Sequence, residues 1–284
     1  MHVHHSAAPA ELDLGASDCA RFWREPRHGG LEFLSATFAT HRFPLHSHDC
    51  YVVGVMLSGC NSYVHRGTRV YATPGDLCLL NPGEVHDGGP YGDGFAYRMS
   101  YPSLAVMAAL AEEATGRRPC GTPSFAGTIG RDNEIAGLFR TAHERLERGS
   151  DRLAADELLL GAYGLLLLRH AGAGPAGRPG REASPIARAR AYLDAHFAKD
   201  IDLSELAAVA GLSRYYFLRA FRREIGLTPH AYLLNRRVNA ARILLARGTP
   251  PSQAAAACGF FDQSHLTRAF KARTGVTPGA FRGH

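Results

Sequence analysis

The sequence predicts an α+β protein of two domains, a β-barrel with flanking helices followed by an all-α domain built on a tandem helix-turn-helix. Three observations carry this expectation. Short apolar runs broken by Gly, Pro and Asn fill residues 31–101, the texture of an all-β sandwich or barrel. From residue 104 onward the apolar residues recur at spacings of three and four instead, the period of helices with one buried face. Between two helical stretches lies AGAGPAGRPGREASP, Ala171 to Pro185, which has no hydrophobic period and reads as a flexible linker. The expected units are therefore residues 1–170 and 186–284, joined by 171–185.

A chain of 284 residues can bury two cores of ordinary size. With 45% hydrophobic and 20% charged residues it has the composition of a soluble globular protein. No apolar run approaches the length of a membrane span. The opening MHVHHSAAPAELDLG lacks the apolar segment of a secretory signal and reads as a solvated tail, although His2, His4 and His5 also resemble a metal tract or a tag remnant. Cysteines at 19, 50, 60, 78, 120 and 258 form no CxxC pair, which suggests reduced, mostly buried thiols. These features place the chain in the cytoplasm, with no membrane partner. Charge is unevenly divided. Residues 184–284 hold 15 Lys+Arg against 6 Asp+Glu, whereas residues 1–183 hold 17 against 20. One third of the chain thus carries the whole positive excess, the footprint of a nucleic-acid partner.

Within the first unit, YVVGVMLSG, RVYATPGDLCLLNPGEVH and FAYRMSYP supply the strands. In NEIAGLFRTAHERLERG the residues Ile135, Leu138, Phe139, Ala142 and Leu146 form an amphipathic helical stripe. LAADELLLGAYGLLLLRH is apolar on more than one side, so it is expected to pack on its own barrel and on a second subunit of a homodimer.

The second unit repeats itself. Gly211 matches Gly259 at an offset of 48; after one inserted residue, Arg219, Ala220, Phe221, Gly226, Thr228 and Pro229 match Arg268, Ala269, Phe270, Gly275, Thr277 and Pro278 at an offset of 49. Each copy has the layout of a helix-turn-helix. In the first, Asp202 and Glu205 have capping-box spacing, LSELAAVA is a short helix, Gly211 makes the turn and Ser213 caps RYYFLRAFRREI. Phe217, Phe221 and Ile225 face the core, leaving Arg214, Tyr215, Leu218, Arg219 and Arg222 outward. In the second, PSQAAAAC is the short helix, Gly259 the turn and Asp262 the cap, with Phe260, Leu266 and Phe270 inward. Gln263, Ser264, His265, Thr267, Arg268 and Lys271 complete the second set of candidate DNA-contacting residues. Arg reads guanine and Gln reads adenine through paired hydrogen bonds, and such a helix enters the major groove by its N-terminal end. Arg219 and Arg268 fit base contacts, phosphate contacts or intradomain ion pairs. HAYLLNRRVNAARILLARG reads as one connecting helix of about 18 residues, roughly 27 Å long. That length suits two reading heads about one DNA turn apart.

Residues 184–284 resemble the DNA-binding domain of the AraC/XylS family of bacterial transcription regulators, most closely at GFFDQSHLTRAFKARTGVTPGAFR. The resemblance implies binding to double-stranded promoter DNA, usually as a dimer and often as an activator that works with RNA polymerase. It implies no enzymatic activity.

In the first unit, PLHSHDCYVVGVMLSG and PGDLCLLNPGEVH resemble the two cupin motifs, and the family's sensor domain is typically a cupin-like barrel. Metal-bearing cupins place two histidines and a glutamate in the first motif and a histidine in the second. His46, His48 and His86 are present here, but the glutamate position falls on Val52. The expectation is therefore a small-molecule effector pocket with no cofactor. The alternative is that the three histidines hold zinc or iron. Tyr51, Glu84 and Arg98 join the histidines as candidate effector-binding residues, with Tyr97 and Tyr101 as further candidates for the lining. Arg98 either faces solvent or awaits an anionic ligand.

Overall fold

The computed structural model describes residues 12–13, 18–115, 121–149, 152–173 and 184–283. Nine strands form one antiparallel sheet: β1 (Leu12–Asp13), β2 (Cys19–Glu25), β3 (Leu31–Phe38), β4 (Phe43–His46), β5 (Val52–His65), β6 (Thr68–Ala72), β7 (Leu77–Leu80), β8 (His86–Tyr101) and, beyond a small strand β9 (Pro123–Phe125), β10 (Ile129–Gly130). The path runs β1-β2-β3-β8-β5-β7-β10, with β4 on β8 and β6 on β5. β1 and β10 are the two ends of this path among the described residues. The long strands β5 and β8 are the spine. β5 pairs with β7 through Val52–Val55 and with β6 through Asn61–His65, while β8 pairs with β4 near its start and with β3 through Phe95–Tyr101. β2 precedes the region that the alternation of apolar runs marks out.

Strand alternation gives the sheet two apolar faces. One face carries Leu34, Phe38, Met56, Tyr97 and Met99. The other carries Phe33, Val53, Val55, Leu77 and Leu79 and is covered by α1 (Leu104–Thr115), α2 (Asn133–Arg148) and α3 (Arg152–His170). Ile135, Phe139, Ala142 and Leu146 of the α2 stripe are buried and Leu138 is half-buried, and Asp132 caps the helix by accepting from the backbone N–H groups of Glu134 and Ile135. β11 (Ala171–Ala173) follows and pairs with β9. The proposed linker is therefore strand at its start; residues 174–183 lie outside the described residues, and Pro185 already begins α4 (Pro185–His196), capped by Ser184.

The second unit is all helix: α5 (Leu203–Ala210), α6 (Arg214–Ile225), α7 (Pro229–Ala246), α8 (Pro251–Ala257), α9 (Gln263–Thr274) and α10 (Pro278–Arg282). Every cap read from the sequence forms: Asp202 accepts from Glu205 N, Ser213 from Tyr216 N and Asp262 from His265 N. The reciprocal half of the Asp202–Glu205 box does not form, because the Glu205 carboxylate accepts the Tyr192 hydroxyl instead. Gly259 is irreplaceable on two counts: its φ is +75°, and a Cβ there would lie 2.4 Å from the carbonyl oxygen of Ala198. Of the described cysteines, all free, only Cys78 and Cys258 are buried; Cys50 and Cys60 are half-buried and Cys19 is exposed.

The two units do not have separate cores. Helices α4, α5 and α6 share one apolar cluster of their own. Leu233 at the start of α7 joins that cluster, whereas the buried apolar side chains farther along α7 and those of α8, α9 and α10, among them Val238, Leu245, Phe270 and Phe281, continue the cluster on the first face of the sheet. The Phe281 ring stacks on Phe22 at 4.5 Å, and the Arg24 guanidinium lies 4.1 Å above the Phe281 ring. Glu32 on β3 accepts from Arg24 Nε at 3.2 Å and from Arg242 of α7. Asn235 donates to the carbonyl and hydroxyl oxygens of Ser47, both at 3.0 Å, and Arg236 pairs with Asp49 at 2.7 Å.

Candidate ligand cavity and nucleic-acid interface

A cavity of about 70 Å³ lies where the first face of the sheet meets the C-terminal end of α9. His46, His48 and His86 line it, with Tyr97 and Tyr101 from β8 and Arg273 and Thr274 from α9. Val52, which stands at the glutamate position of metal-bearing cupins, is in the wall, so the exchange of carboxylate for methyl groups falls inside the cavity itself. Asp87 also reaches the wall, where its carboxylate accepts from Val64 N at 2.5 Å.

The three imidazoles are buried, and their ligand atoms all lie within 4.8 Å of one another. His46 Nδ1 is 2.8 Å from the Pro44 carbonyl oxygen and His86 Nδ1 is 3.0 Å from that of Glu84. A carbonyl oxygen only accepts, so both rings carry their proton on Nδ1 and leave Nε2 bare. His46 Nε2 lies 3.2 Å from His48 Nε2. Burial holds all three below the ordinary histidine range, His86 at about 4. The rings are therefore neutral at pH 7.

The sequence-derived candidates divide by strand parity. Tyr97 and Tyr101 point to the cavity; Arg98, between them, points to the opposite face. There its guanidinium bonds Glu147 at 2.6 Å and His143 Nδ1 at 2.9 Å. Arg98 thus neither faces solvent nor waits for an anion: α2 supplies its carboxylate. Tyr51 is buried, and its hydroxyl donates to the Pro123 carbonyl at 2.5 Å, away from the cavity. Glu84 accepts from Asn81 N at 2.9 Å and pairs with Arg66 at 2.8 Å. These three contribute to the frame and not to the cavity lining. Arg273 was missed by sequence reasoning. It is 8% exposed, bonds only its own helix through Ala269 O at 3.2 Å, and its Nε has no partner among the described residues. Burial lowers its pKa. The clue in the sequence was an arginine on the inward stripe of α9, three residues after Phe270.

In the second unit, Arg214, Leu218, Arg219 and Arg222 of α6 are exposed, as are Ser213 before it and Asp262, Gln263, Ser264 and Arg268 around α9. The side chain of Tyr215 lies outside the described residues. Among the described residues, the side chains of Arg214, Arg222 and Arg268 have no acidic partner. His265 is only half-exposed, its ring edge-on to Phe260 at 5.3 Å, and the Thr267 hydroxyl donates to Gln263 O at 2.8 Å. Lys271 is half-buried, toward the sheet domain and His41. No described helix is long and apolar enough to cross a membrane.

Two helix-turn-helices joined by an 18-residue helix and packed on a sheet domain with an internal cavity define a class: a DNA-binding protein with an attached ligand-binding domain. The family models agree. Residues 28–162 match the AraC-like ligand binding domain, and residues 206–284 match a helix-turn-helix domain. The chain belongs to the AraC family of transcription regulators. It is 29% identical over 79% of its length, and 82% of the relative's, to the HTH-type transcriptional regulator YbfI of Bacillus subtilis. It is 24% identical to the arabinose operon regulatory protein of Salmonella typhimurium, over 82% of this chain and 83% of that one. Apo ToxT from Vibrio cholerae has the same two-domain fold, with a TM-score of 0.52 at 11% identity over 95% of this chain and 98% of that one. The relatives are transcription regulators rather than enzymes.

Proposed function

We propose that this chain is a cytoplasmic, homodimeric regulator that binds promoter DNA through α6 and α9 and answers to a small molecule in the cavity between its two units. The observation that carries the reading is that one helix does two things. The N-terminal turns of α9 present Gln263, Ser264 and Arg268, while its last turn closes the cavity with Arg273 and Thr274. Ten residues, about 15 Å of rigid helix, separate the two ends. At about 70 Å³ the cavity is several-fold smaller than an ordinary small-molecule site. An effector of metabolite size therefore binds only the arrangement in which α9 has moved off the sheet. That differential affinity is what an effector needs to shift an equilibrium. Moving α9 changes its placement relative to α6 and so the geometry offered to two successive major grooves. Arg273 favours an anionic effector, since a carboxylate supplies the partner that its Nε lacks. The exposed Leu153, Leu160 and Leu168 of α3 support a homodimer through that helix. RNA polymerase is the second protein partner that an activator of this family implies.

The test is DNA affinity on the strongest genomic site, measured with and without a panel of small carboxylates, sugars and amines. A ligand that binds the chain should change DNA affinity or transcription, and Arg273→Met should blunt the response to a carboxylate. Equal affinity and equal transcription for every ligand that binds would refute control by the cavity.

A further inference from the structure

The two copies of the helix-turn-helix differ by one inserted residue, and the structure gives that residue an unusual place. In the first copy Leu212 alone separates the turn glycine Gly211 from the cap Ser213; in the second, Phe260 and Phe261 separate Gly259 from Asp262. Leu212 and Phe260 are equivalent, since each packs in the apolar cluster that holds the inward residues of its own reading helix. Phe261 has no such seat. It is 93% exposed, the most exposed large apolar side chain among the described residues. Every other large apolar side chain from α8 onward, namely Phe260, Leu266, Phe270, Val276 and Phe281, is buried.

Position decides what covers this ring. Phe261 immediately precedes the N-cap of α9, and the first residues of that helix, Gln263 and Ser264, are exposed. A reading helix enters the major groove by its N-terminal end. The edges of the bases there are polar except for the C5-methyl of thymine, an apolar point that a phenylalanine matches. A protein partner would bury a wider apolar core, but the exposed neighbours Asp262, Gln263, Ser264 and Arg268 are all polar. The Asp262 carboxylate, which accepts from His265 N at 2.6 Å, disfavours a phosphate beside it and leaves the base edge as the surface to meet. We propose that Phe261 is a specificity-determining residue that packs on the C5-methyl of one thymine in the groove segment entered by α9. The inference rests on promoter binding through α9 and adds to it the identity of one base. The first copy has no residue at this place, so the inserted ring distinguishes the two reading heads.

The experiment uses the full chain and a duplex carrying its strongest genomic site, in which each thymine is replaced in turn by deoxyuridine. Uracil pairs as thymine does and lacks only the methyl. In the parent chain one replacement should weaken binding about fourfold, the worth of one buried methyl group. That position should lie within about three base pairs of the one relaxed by Arg268→Ala, because Phe261 and Arg268 are about 10 Å apart along the helix. In Phe261→Ser the same replacement should change affinity by less than about twofold. Phe261→Leu, which keeps an apolar side chain, should keep the sensitivity. Phe261→Ser takes nothing from the core, and its salt dependence should equal the parent's, because an apolar contact displaces no counterions. A parent chain that prefers the site to unrelated DNA, yet shows no uracil position whose effect disappears in Phe261→Ser, overturns the inference and leaves promoter binding standing. A shallower salt dependence in Phe261→Ser also overturns it, by placing the residue at the phosphates. A parent chain with no preference for the site overturns promoter binding and the inference together.

Discussion

Replacing Glu32 by glutamine should loosen the grip of the ligand-binding unit on the reading helices. The Glu32 carboxylate holds Arg24 at 3.2 Å on its own sheet and also Arg242 of α7, and the three side chains are only 10%, 17% and 13% exposed in the order Arg24, Glu32, Arg242. Removing one partner of a buried charged group costs about 3–5 kcal/mol, since the remaining charges stay buried without compensation. Two guanidiniums remain here, each against the other's field. The docked chain can lower this cost by separating its units and hydrating Arg242, so the penalty appears as destabilisation, as opening, or as both. Trp23 is the single tryptophan and is buried in the sheet domain, so its fluorescence reports unfolding of that unit. Urea denaturation followed by Trp23, together with the radius of gyration from small-angle scattering, measures both routes. Arg242→Met closes the cycle: combined with Glu32→Gln it should be less destabilising than the sum of the single changes by about 1–3 kcal/mol. A loss under about 1 kcal/mol with unchanged dimensions and a coupling under about 0.5 kcal/mol would refute the clamp.

The sheet domain should also lose stability as pH falls. Burial, and then the neighbouring Arg98, hold the fully buried His143 at about 3, whereas it titrates near 6.5 when unfolded. The unfolded chain takes up this proton below about pH 6.5 and the folded one does not, so by pH 5 the histidine alone costs about 2 kcal/mol. Denaturation midpoints from pH 7 to 5 should show this slope, and His143→Gln should reduce it by about one proton. Gly259→Ala should destabilise the second unit by more than the roughly 1–2 kcal/mol of a left-handed residue, because its Cβ also meets the Ala198 carbonyl at 2.4 Å; the midpoint of helical circular dichroism measures it. Arg268→Ala should cost roughly 1–3 kcal/mol of DNA affinity and relax specificity at one base if this exposed residue reads an edge. Log affinity should fall linearly with log salt, and a flat response would contradict phosphate contacts by the α6 arginines.

How much of this was legible beforehand depended on range. The doubled helix-turn-helix was written in local chemistry: Ser213 and Asp262 cap because their side-chain oxygens sit next to orphan N–H groups, and Gly211 and Gly259 turn because no other residue tolerates a positive φ there so cheaply. The face each reading helix exposes followed from the 3.6-residue period, with Phe217 and Phe270 inward and Arg214 and Arg268 outward. The three histidines were visible from motif spacing alone. Arg98 was misread because alternation along a strand reveals that two faces exist but not which one a helix will cover. α2 brought Glu147 and His143 to that face from more than forty residues away. Arg273 could not be placed either, since a partner for an inward arginine is decided by whatever packs opposite. The sequence by itself determined the tandem helix-turn-helix, its caps, its turns and the faces its helices expose, because those depend on neighbours within a few residues. Only the tertiary structure decided that the second half of the DNA-binding unit shares a core with the sheet and that α9 closes the histidine cavity, because burial joins side chains without regard to their distance along the chain.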